Sequence, residues 1–593
     1  MILTALSNYY RRLTQDPDTR DSVPPFGFSR EKISWSLVLT PEGELVDEPK
    51  DERHPVTDAK GKTRLVPTEI IVPTTTRTAS RSGKNPPPNF LWDNTKYVLG
   101  AAKKPGDSKK YFQRFLRHNE EIGGDIDDVG MQAVLNFLRN WDFSEMENWE
   151  NLKEILGTNL VFRLVGEPGF IHQRPRIVER WQKFCEEDEA RFNRTHKGEG
   201  KPVFGTCLIL GEKAQIARVH RQIRNFPGGQ PSGNAIISFN ENAFESYGRD
   251  QSFNAPVSIR GAFEYTTALN YLLASDQKKL IGDMTLLFWA ERKTPAEKLF
   301  GVLINPGNRE EIDTETTRQL KDFFSAAARG ELPAEIKPDA GVRFFVLGLA
   351  PSAARISVVL WYVSTVEEIS KNLHRHFENI SIVKERESQP DYLGVWEIMR
   401  ETVPKSKDKS KNSPSPALTS KLTESAITGK EYPRSLLGVL MERIRVDSEV
   451  NYPRAAMIKG ILIRNHKKEV KMSLDPQNTQ VPYLLGRLFA VLEAAQKDAG
   501  NETIRERYFG AAAATPRRVF PLLLSLTQHH IAKGEFGYRY DRLTAQIMDM
   551  LPAQQFPAHL PLEQQGLFAL GYYHQRNDLY RGKEDKNEEK SEE

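Results

Sequence analysis

The chain has very little cysteine: Cys185 and Cys207 are the two among 593 residues. They are not spaced as CxxC, which excludes a disulfide framework and a cysteine-based zinc site. No stretch approaches the roughly 18 apolar residues that a membrane helix needs. The opening MILTALSNYYRRL places its basic pair after the apolar residues, the reverse of a secretory signal. We therefore expect a cytoplasmic protein with no membrane partner.

An excess of one charge is also missing. The chain has 83 Lys and Arg against 79 Asp and Glu, a formal net charge of +4. A balance this small attracts no nucleic acid by itself, so a binding surface has to come from local clusters of basic residues. The length predicts about three to four domains.

Catalytic signatures are missing as well. The sequence contains neither HExxH nor GxSxG, and GKT at 61–63 lacks the first glycine of a phosphate-binding loop because Val56 stands in its place. The segment 61–63 therefore predicts a turn between strands. The histidine pairs at 374–376 and 529–530 do not predict a metal site. We expect no catalytic residue, no metal and no cofactor.

Apolar periodicity divides the chain in two. In the first part, short β-rich segments alternate with helical periodicity, and the predicted strands include TEIIVP, TCLILG, AIISFN, TLLFWA and LFGVLIN. The stretch VRFFVLGLAPSAARISVVLWYV predicts a hairpin, followed by a helix, VEEISKNLHRHFENI. The later part shows helical periodicity alone.

The boundary between the two parts is VPKSKDKSKNSPSP, which has almost no apolar residues and predicts a solvated linker. We therefore predict an α+β protein. A mixed α/β region occupies residues 1–402, the linker 403–416, and an all-α helical bundle 417–593. The composition predicts a charged, disordered tail from about residue 581.

Residues 213–224 have the spacing of an amphipathic helix, with apolar residues on one stripe. The opposite side carries the candidate DNA-backbone residues Arg218, Arg221 and Arg224. No acidic residue stands between Glu212 and Glu241, so the cations are available to follow a row of phosphates. An ordinary solvated helix face remains the alternative interpretation.

The loop FPGGQPSGN follows directly. Its glycines, Gly228 and Gly229, let the backbone approach a groove closely, and Gln230 is a candidate to enter between base pairs or to read a base edge. A plain hairpin loop is an equally good explanation of the same residues.

An earlier stretch, RTASRSGKNPPPNFLWDN, interleaves basic, amide and aromatic residues, a mixture that suits phosphate contact and base-edge reading. We expect its aromatic residues, Phe90 and Trp92, to belong mostly to a core. The polar residues are the better functional candidates. They are Arg77 and Arg81 for the DNA backbone, and Lys84, Asn89 and Asn94 for base contacts.

Together these segments resemble the large subunit of the type I-C CRISPR Cascade complex. The similarity spans nearly the whole chain, in the same order. It includes MILTALSNYYRRL, PPFGFS, RTASRSGKNPPPNFLWDNTKYVLG, GEKAQIARVH, ISFNENAFESYGRDQSFNAPVS, AFEYTTALNYLL, PYLLGRLFAVLEAAQ, RYFGAAAATP and QQGLFALGYYHQ.

The resemblance implies a complex with a CRISPR RNA, backbone subunits, a five-prime cap subunit and small-subunit copies. Such a large subunit inspects double-stranded DNA for a short flanking motif, the PAM. Guide pairing reads the remaining sequence, protein holds the displaced single strand, and a separate helicase-nuclease is recruited to cut. The candidates found from the residues fit these roles, although the resemblance itself transfers no positions. We expect Lys84, Asn89 and Asn94 to face the PAM and Gly228, Gly229 and Gln230 to form a groove-entering wedge.

Two other functions stay open. The acidic clusters at 124–128 and 186–189 could serve a metal-dependent nuclease, although a solvated charge cluster is the commoner explanation. A purely structural scaffold is the other alternative.

The helical region has the character of a separate module. It lies beyond the predicted linker, and type I-C systems lack a small-subunit gene, so we expect an internal translation start. Met472 is the candidate and Met457 the alternative.

Overall fold

The computed structural model describes residues 1–57, 61–79, 81, 86–102, 108–195, 199–304, 314–328, 331–405, 413–500, 504–552 and 556–591. The chain forms two compact units. One consists of Met1–Leu273 with Ser352–Ile356, and the other of Ala274–Pro351 with Ser357–Glu593. The described strands lie between Phe28 and Thr365 and helices dominate the C-terminal region, which confirms the predicted α+β class.

The first unit is built on small sheets. Its helices are α1 (Ile2–Gln15), α2 (Thr76–Ala79), α3 (Thr95–Val98), α4 (Ser108–Gly123), α5 (Val129–Asn140), α6 (Leu152–Ile155), α7 (Pro175–Phe192) and α8 (Ile259–Ala274). Its strands are β1 (Phe28–Ile33), β2 (Trp35–Leu39), β3 (Lys50–Asp51), β4 (His54–Thr57), β5 (Thr63–Val66), β6 (Thr68–Pro73), β7 (Trp92–Asn94), β8 (Asn159–Leu164), β9 (Phe204–Thr206) and β10 (Lys213–Gln215). Four strands form a sheet of order β3-β2-β8-β7, and β1 pairs with β6, β4 with β5, and β9 with β10.

The second unit starts from an antiparallel sheet of order β11-β12-β13-β14. These strands are β11 (Lys278–Ile281), β12 (Met284–Ala290), β13 (Arg343–Ser352) and β14 (Arg355–Thr365). Its helices are α9 (Ala296–Ile304), α10 (Thr314–Ala328), α11 (Val366–Ile380), α12 (Val395–Arg400), α13 (Pro416–Thr428), α14 (Arg434–Asp447), α15 (Tyr452–Arg464), α16 (Val481–Asp498), α17 (Ile504–Ala514), α18 (Pro516–Ile531), α19 (Gly537–Asp549) and α20 (Leu562–Ser591). Within the described residues, no helix has both the length and the apolar character needed to cross a membrane.

One hydrophobic core extends from this sheet into the C-terminal helices. It contains Leu286 of β12, Leu373 of α11 and Phe568 of α20. Residues 406–412 of the predicted linker lie outside the described part of the chain. Independent folding of the region beyond that linker therefore stays a prediction, as does the disorder of the charged segment that overlaps the end of α20.

Helices α16 and α20 approach each other backbone to backbone. A Cβ placed on Gly486 of α16 would overlap the Phe568 carbonyl oxygen and lie 2.7 Å from the Tyr572 nitrogen. A Cβ on Gly571 of α20 would overlap the carbonyl oxygen of Tyr483. The contact between the two helices therefore requires glycine on both sides.

Strong local periodicity predicted several elements correctly. The segment TEIIVP is β6, the long hairpin is β13 and β14, and VEEISKNLHRHFENI is α11. Three strand predictions were wrong. LFGVLIN lies in α9, where Leu299, Phe300 and Leu303 are buried at helical spacing, because a continuous apolar run does not separate strand from helix.

The other two failed strands lie in irregular backbone. In TCLILG the chain turns after β9, and the Cys207 sulfur accepts the Leu210 N–H at 3.4 Å. In AIISFN only Ala235 makes a bridge, to Arg355.

Candidate nucleic-acid interface

The most exposed part of the predicted site is a loop between two paired residues, which we call the Gln230 loop (residues 224–233). At its base Ile223 and Asn234 exchange two backbone hydrogen bonds of 2.8 and 2.9 Å. Inside it, the Gly229 N–H donates to the Phe226 carbonyl at 3.0 Å, and Phe226 is buried. The tip, which includes Gln230, is exposed.

Glycine and asparagine fix the shape of this loop. Gly228 has φ +72° and Gly233 has φ +108°, values that favour glycine. A Cβ on Gly229 would overlap the amide of Asn234. That buried Asn234 accepts the Gln230 N–H at 3.1 Å and donates to the Gln230 carbonyl at 3.4 Å. The loop thus presents the Gln230 side chain from a backbone that is bonded on both sides.

The predicted helix at 213–224 is absent, and that prediction was wrong. Residues Lys213–Gln215 form β10, and the chain then continues without regular secondary structure, with isolated bridges from Ile216 to Ser258 and from Ile223 to Asn234. β-Branched residues favour such strand-like pairing. Ile216 and Ile223 of the apolar stripe are buried and Val219 is half-buried, but bridges to Ser258 and Asn234 hold this segment in place of helix packing.

Arg221 serves as a structural anchor. Its guanidinium donates to the carbonyls of Thr74 (2.8 Å) and Phe28 (3.2 Å) and to the Thr76 hydroxyl (3.2 Å). Its Nη2 lies 3.6 Å from a carboxylate oxygen of Glu189, and its side chain is 9% exposed. The carboxylate missing from the local sequence is therefore supplied by α7.

Arg224 and Arg218 are bonded internally in the same way. Arg224 donates to both carboxylate oxygens of Glu31, at 2.5 and 2.7 Å. Arg218 is buried and donates to the Gln251 side chain at 2.6 Å. DNA-backbone binding by these arginines stays a prediction, and it requires each of them to exchange protein acceptors for phosphate.

The second predicted segment is organised around the buried carboxylate of Asp93. Arg81 donates to its two oxygens at 2.8 Å each, and the backbone N–H groups of Asn89 and Asn94 donate at 2.9 and 2.7 Å. Such a bidentate pair fixes both position and orientation. Arg81 therefore orders the segment that carries the candidate base-reading residues.

Those candidates differ in accessibility. Asn89 is 3% exposed, whereas Asn94 is half-buried, and its side-chain oxygen accepts the Lys96 N–H at 3.2 Å as the N-cap of α3. Lys84 lies outside the described residues. Arg77 is 51% exposed beside Asp188, at 3.5 Å. Among the described residues of this set, Arg77 has the most exposed side chain.

The aromatic residues of this segment belong to the core, as predicted. Phe90 stacks on Trp181 with ring centroids 5.4 Å apart. The Trp92 indole N–H donates to the Pro73 carbonyl at 2.7 Å. The aromatic residues of this segment therefore serve core packing, and stacking on bases requires other side chains.

Sequence reasoning missed a neighbour of the Gln230 loop. The Ala235 N–H donates to the Ala354 carbonyl at 3.2 Å, and the Ile356 N–H donates to the Ala235 carbonyl at 3.0 Å. Between them, Arg355 lies 4.6 Å over the Phe244 ring. The tip of the β13–β14 hairpin thus borders the predicted site, and no local pattern connects segments so far apart in the chain.

The acidic clusters considered for a nuclease are engaged in ion pairs. Asp128 accepts Arg174 at 2.9 Å and Asp127 lies 3.0 Å from Arg176. Among the described residues, no group of three or more His, Cys, Asp or Glu side chains could hold a metal ion. His376 is buried, and this burial lowers its pKa to about 3 while its ring bonds to the Tyr432 hydroxyl.

Comparison with known proteins gives one match to a family. The model of the family described as CRISPR-associated protein (Cas_Csd1) matches residues 6–580, nearly the whole chain. Among curated proteins, no significant match is found.

Proposed function

Because this chain belongs to the Cas_Csd1 family of CRISPR-associated proteins, the large subunits of type I-C Cascade, we propose that it recognises the PAM and opens the DNA. In this proposal the guide RNA reads the target by base pairing, and the large subunit supplies PAM contact, duplex opening and a surface for the displaced strand. The proposal assigns DNA cutting to a separate helicase-nuclease and no catalytic role to this chain.

One observation supports the opening role most directly. The Gln230 side chain stands at the exposed tip of a loop whose backbone is bonded at its base and beneath its tip. A side chain that projects from an ordered backbone suits insertion between base pairs, because little backbone freedom is lost when it enters the stack. We propose that Gln230 is the wedge and that Arg77, an exposed residue of the same unit, contacts the DNA backbone.

The first prediction is that PAM-specific binding needs the assembled complex. The formal net charge of +4 gives the lone chain little unguided affinity, and pairing with the guide carries most of the sequence information. Binding of duplexes with and without the PAM is measured at fixed salt, with and without RNA and the partner subunits. Strong sequence-specific binding by the chain alone would refute the proposal, and metal-dependent DNA cleavage by it would favour the nuclease alternative.

The second prediction is a short protein translated from within the same gene. Met472 lies in the loop between α15 and α16, so a start there retains α16–α20 as whole helices. Met457 is fully buried inside α15, so a start there would cut through that helix. The structure of the segment therefore favours Met472.

This internal start is tested with a C-terminal tag on the full gene. We expect a short tagged product in the purified complex, lost in Met472→Leu and retained in Met457→Leu. If no short product forms from the unaltered gene, or if neither substitution removes it, a second product is ruled out.

A further inference from the structure

The β4–β5 ribbon, residues His54–Thr57 with Thr63–Val66, projects from the first unit. In the described part of the chain its two strands pair only with each other. Every described residue from His54 to Leu65 is exposed. An isolated two-stranded hairpin is marginally stable in water, so its position depends on its base and on whatever it binds.

The base of the β4–β5 ribbon is fixed by ion pairs. Glu52 accepts two hydrogen bonds from Arg163, of 2.7 and 3.0 Å. Arg53 donates to Asp51 at 2.9 Å, which lowers the pKa of that carboxyl group, and to Glu154 at 2.8 Å. Two consecutive residues before β4 are thus bound to the body of the unit. The ribbon therefore extends from a rigid attachment.

The surface of the ribbon combines cations with exposed apolar side chains. Arg64 of β5 and Lys62, just before that strand, are exposed, and neither β4 nor β5 contains a carboxylate. Val56 and Leu65 are 38% and 52% exposed. They lie on opposite faces, because strand residues alternate and Val56 pairs with Arg64 whereas Leu65 pairs with Pro55. Among the described residues, none covers either face of the ribbon.

We propose that the β4–β5 ribbon inserts into the major groove of the duplex that flanks the target. This proposal rests on the proposed function, because it requires the subunit to bind double-stranded DNA. Strands of four residues are about 13 Å long and about 4.8 Å apart, and a major groove about 12 Å wide admits a two-stranded ribbon. Val56 and Arg64 share one face of the ribbon and face the bases, where Arg64 contacts guanine edges or phosphate and Val56 contacts thymine methyl groups.

A protein strand is a poorer partner for the same element. Addition of a strand needs a row of free N–H groups along the edge, and Pro55 removes one donor from β4. The positive charge of Lys62 and Arg64 also matches phosphate better than it matches an apolar protein surface. The ribbon's edge and charge therefore both favour nucleic acid.

The third prediction places the ribbon on DNA by directed cleavage. Cys185 and Cys207 are both buried, so Leu65→Cys provides an exposed thiol for attaching an iron chelate. In the RNA-loaded complex we expect hydroxyl radicals from this position to cut both strands of the flanking duplex. Val129→Cys, on α5 and 44% exposed, carries the same reagent and reports background cutting.

Charge removal gives a second readout. Lys62→Ala/Arg64→Ala should weaken binding several-fold and reduce the salt slope by up to about two. The matched variant Lys110→Ala/Lys183→Ala removes two exposed cations from α4 and α7. It should leave the DNA affinity and the salt slope unchanged.

The outcomes separate this proposal from the proposed function. If the unlabelled complex selects the PAM but the cuts fall on the guide RNA, on a partner protein or nowhere above background, the ribbon does not enter the groove and the proposed function stands. If the unlabelled complex makes no distinction between duplexes with and without the PAM, the proposed function fails, whatever the cutting pattern.

Discussion

Replacing Gly486 with alanine is expected to destabilise the second unit by about 2 kcal/mol or more. Alanine gains up to about 1 kcal/mol in helix propensity over glycine. Against this, the new methyl group would overlap the Phe568 carbonyl oxygen, and overpacking a core costs about 1–3 kcal/mol and occasionally more. The cost is at the upper end here because the obstacle is backbone, which cannot change rotamer.

The test compares the apparent Tm of purified Gly486→Ala with the values for Gly438→Ala and for the unsubstituted protein. Gly438 also lies inside a helix of the second unit, α14, but a Cβ there would meet only Leu562, at an ordinary 3.8 Å. We expect Gly438→Ala to be neutral or mildly stabilising. Equal melting of Gly486→Ala and the unsubstituted protein would mean that α16 and α20 do not pack this closely.

Replacing Gln230 with alanine should slow target opening in the assembled complex roughly tenfold, since the base-step unstacking that a wedge supports costs a few kcal/mol. The loop itself should survive, because Asn234 bonds to the backbone of Gln230 and not to its side chain. No charge is removed, so the salt dependence of binding should stay the same. The rate of target opening is measured through the chemical reactivity of thymines next to the PAM, which rises when they become unpaired.

Two controls define this experiment. Ser232→Ala removes another exposed polar side chain from the same tip and should open DNA at the normal rate. A target with mismatches next to the PAM is already open and should restore the Gln230→Ala complex. Equal slowing by both substitutions, or no rescue by the open target, would show that Gln230 is not a wedge.

Elements with strong local periodicity were predictable from the sequence. The helix at Val366–Ile380 and the strand at Thr68–Pro73 carry their whole signal within a few residues, so packing only completes what the local pattern favours. The segment 213–224 shows the limit. Its spacing matches a helix, but its non-helical form depends on Ser258, Asn234 and other distant partners that no local window contains.

The candidate site was predictable in part for the same reason. The Gln230 loop was found because glycine and proline mark loops locally, and its tip is exposed. The roles of the arginines were not predictable, because Arg221 and Arg224 bind carboxylates from α7 and β1. The N-cap role of Asn94 could have been predicted from the sequence, since asparagine is a preferred residue before a helical turn.

The tip of the β13–β14 hairpin, Ser352–Ile356, determines which fragments of this protein are suitable for expression. A fragment ending at Leu273 would contain the Gln230 loop but lose the backbone groups that bond Ala235, and Phe244 would lose Arg355. The backbone groups of Ala235, without their partners, would then lie directly beside the Gln230 loop. A minimal version of the first unit therefore needs residues 352–356 supplied in the same polypeptide, for example through a short linker after Leu273.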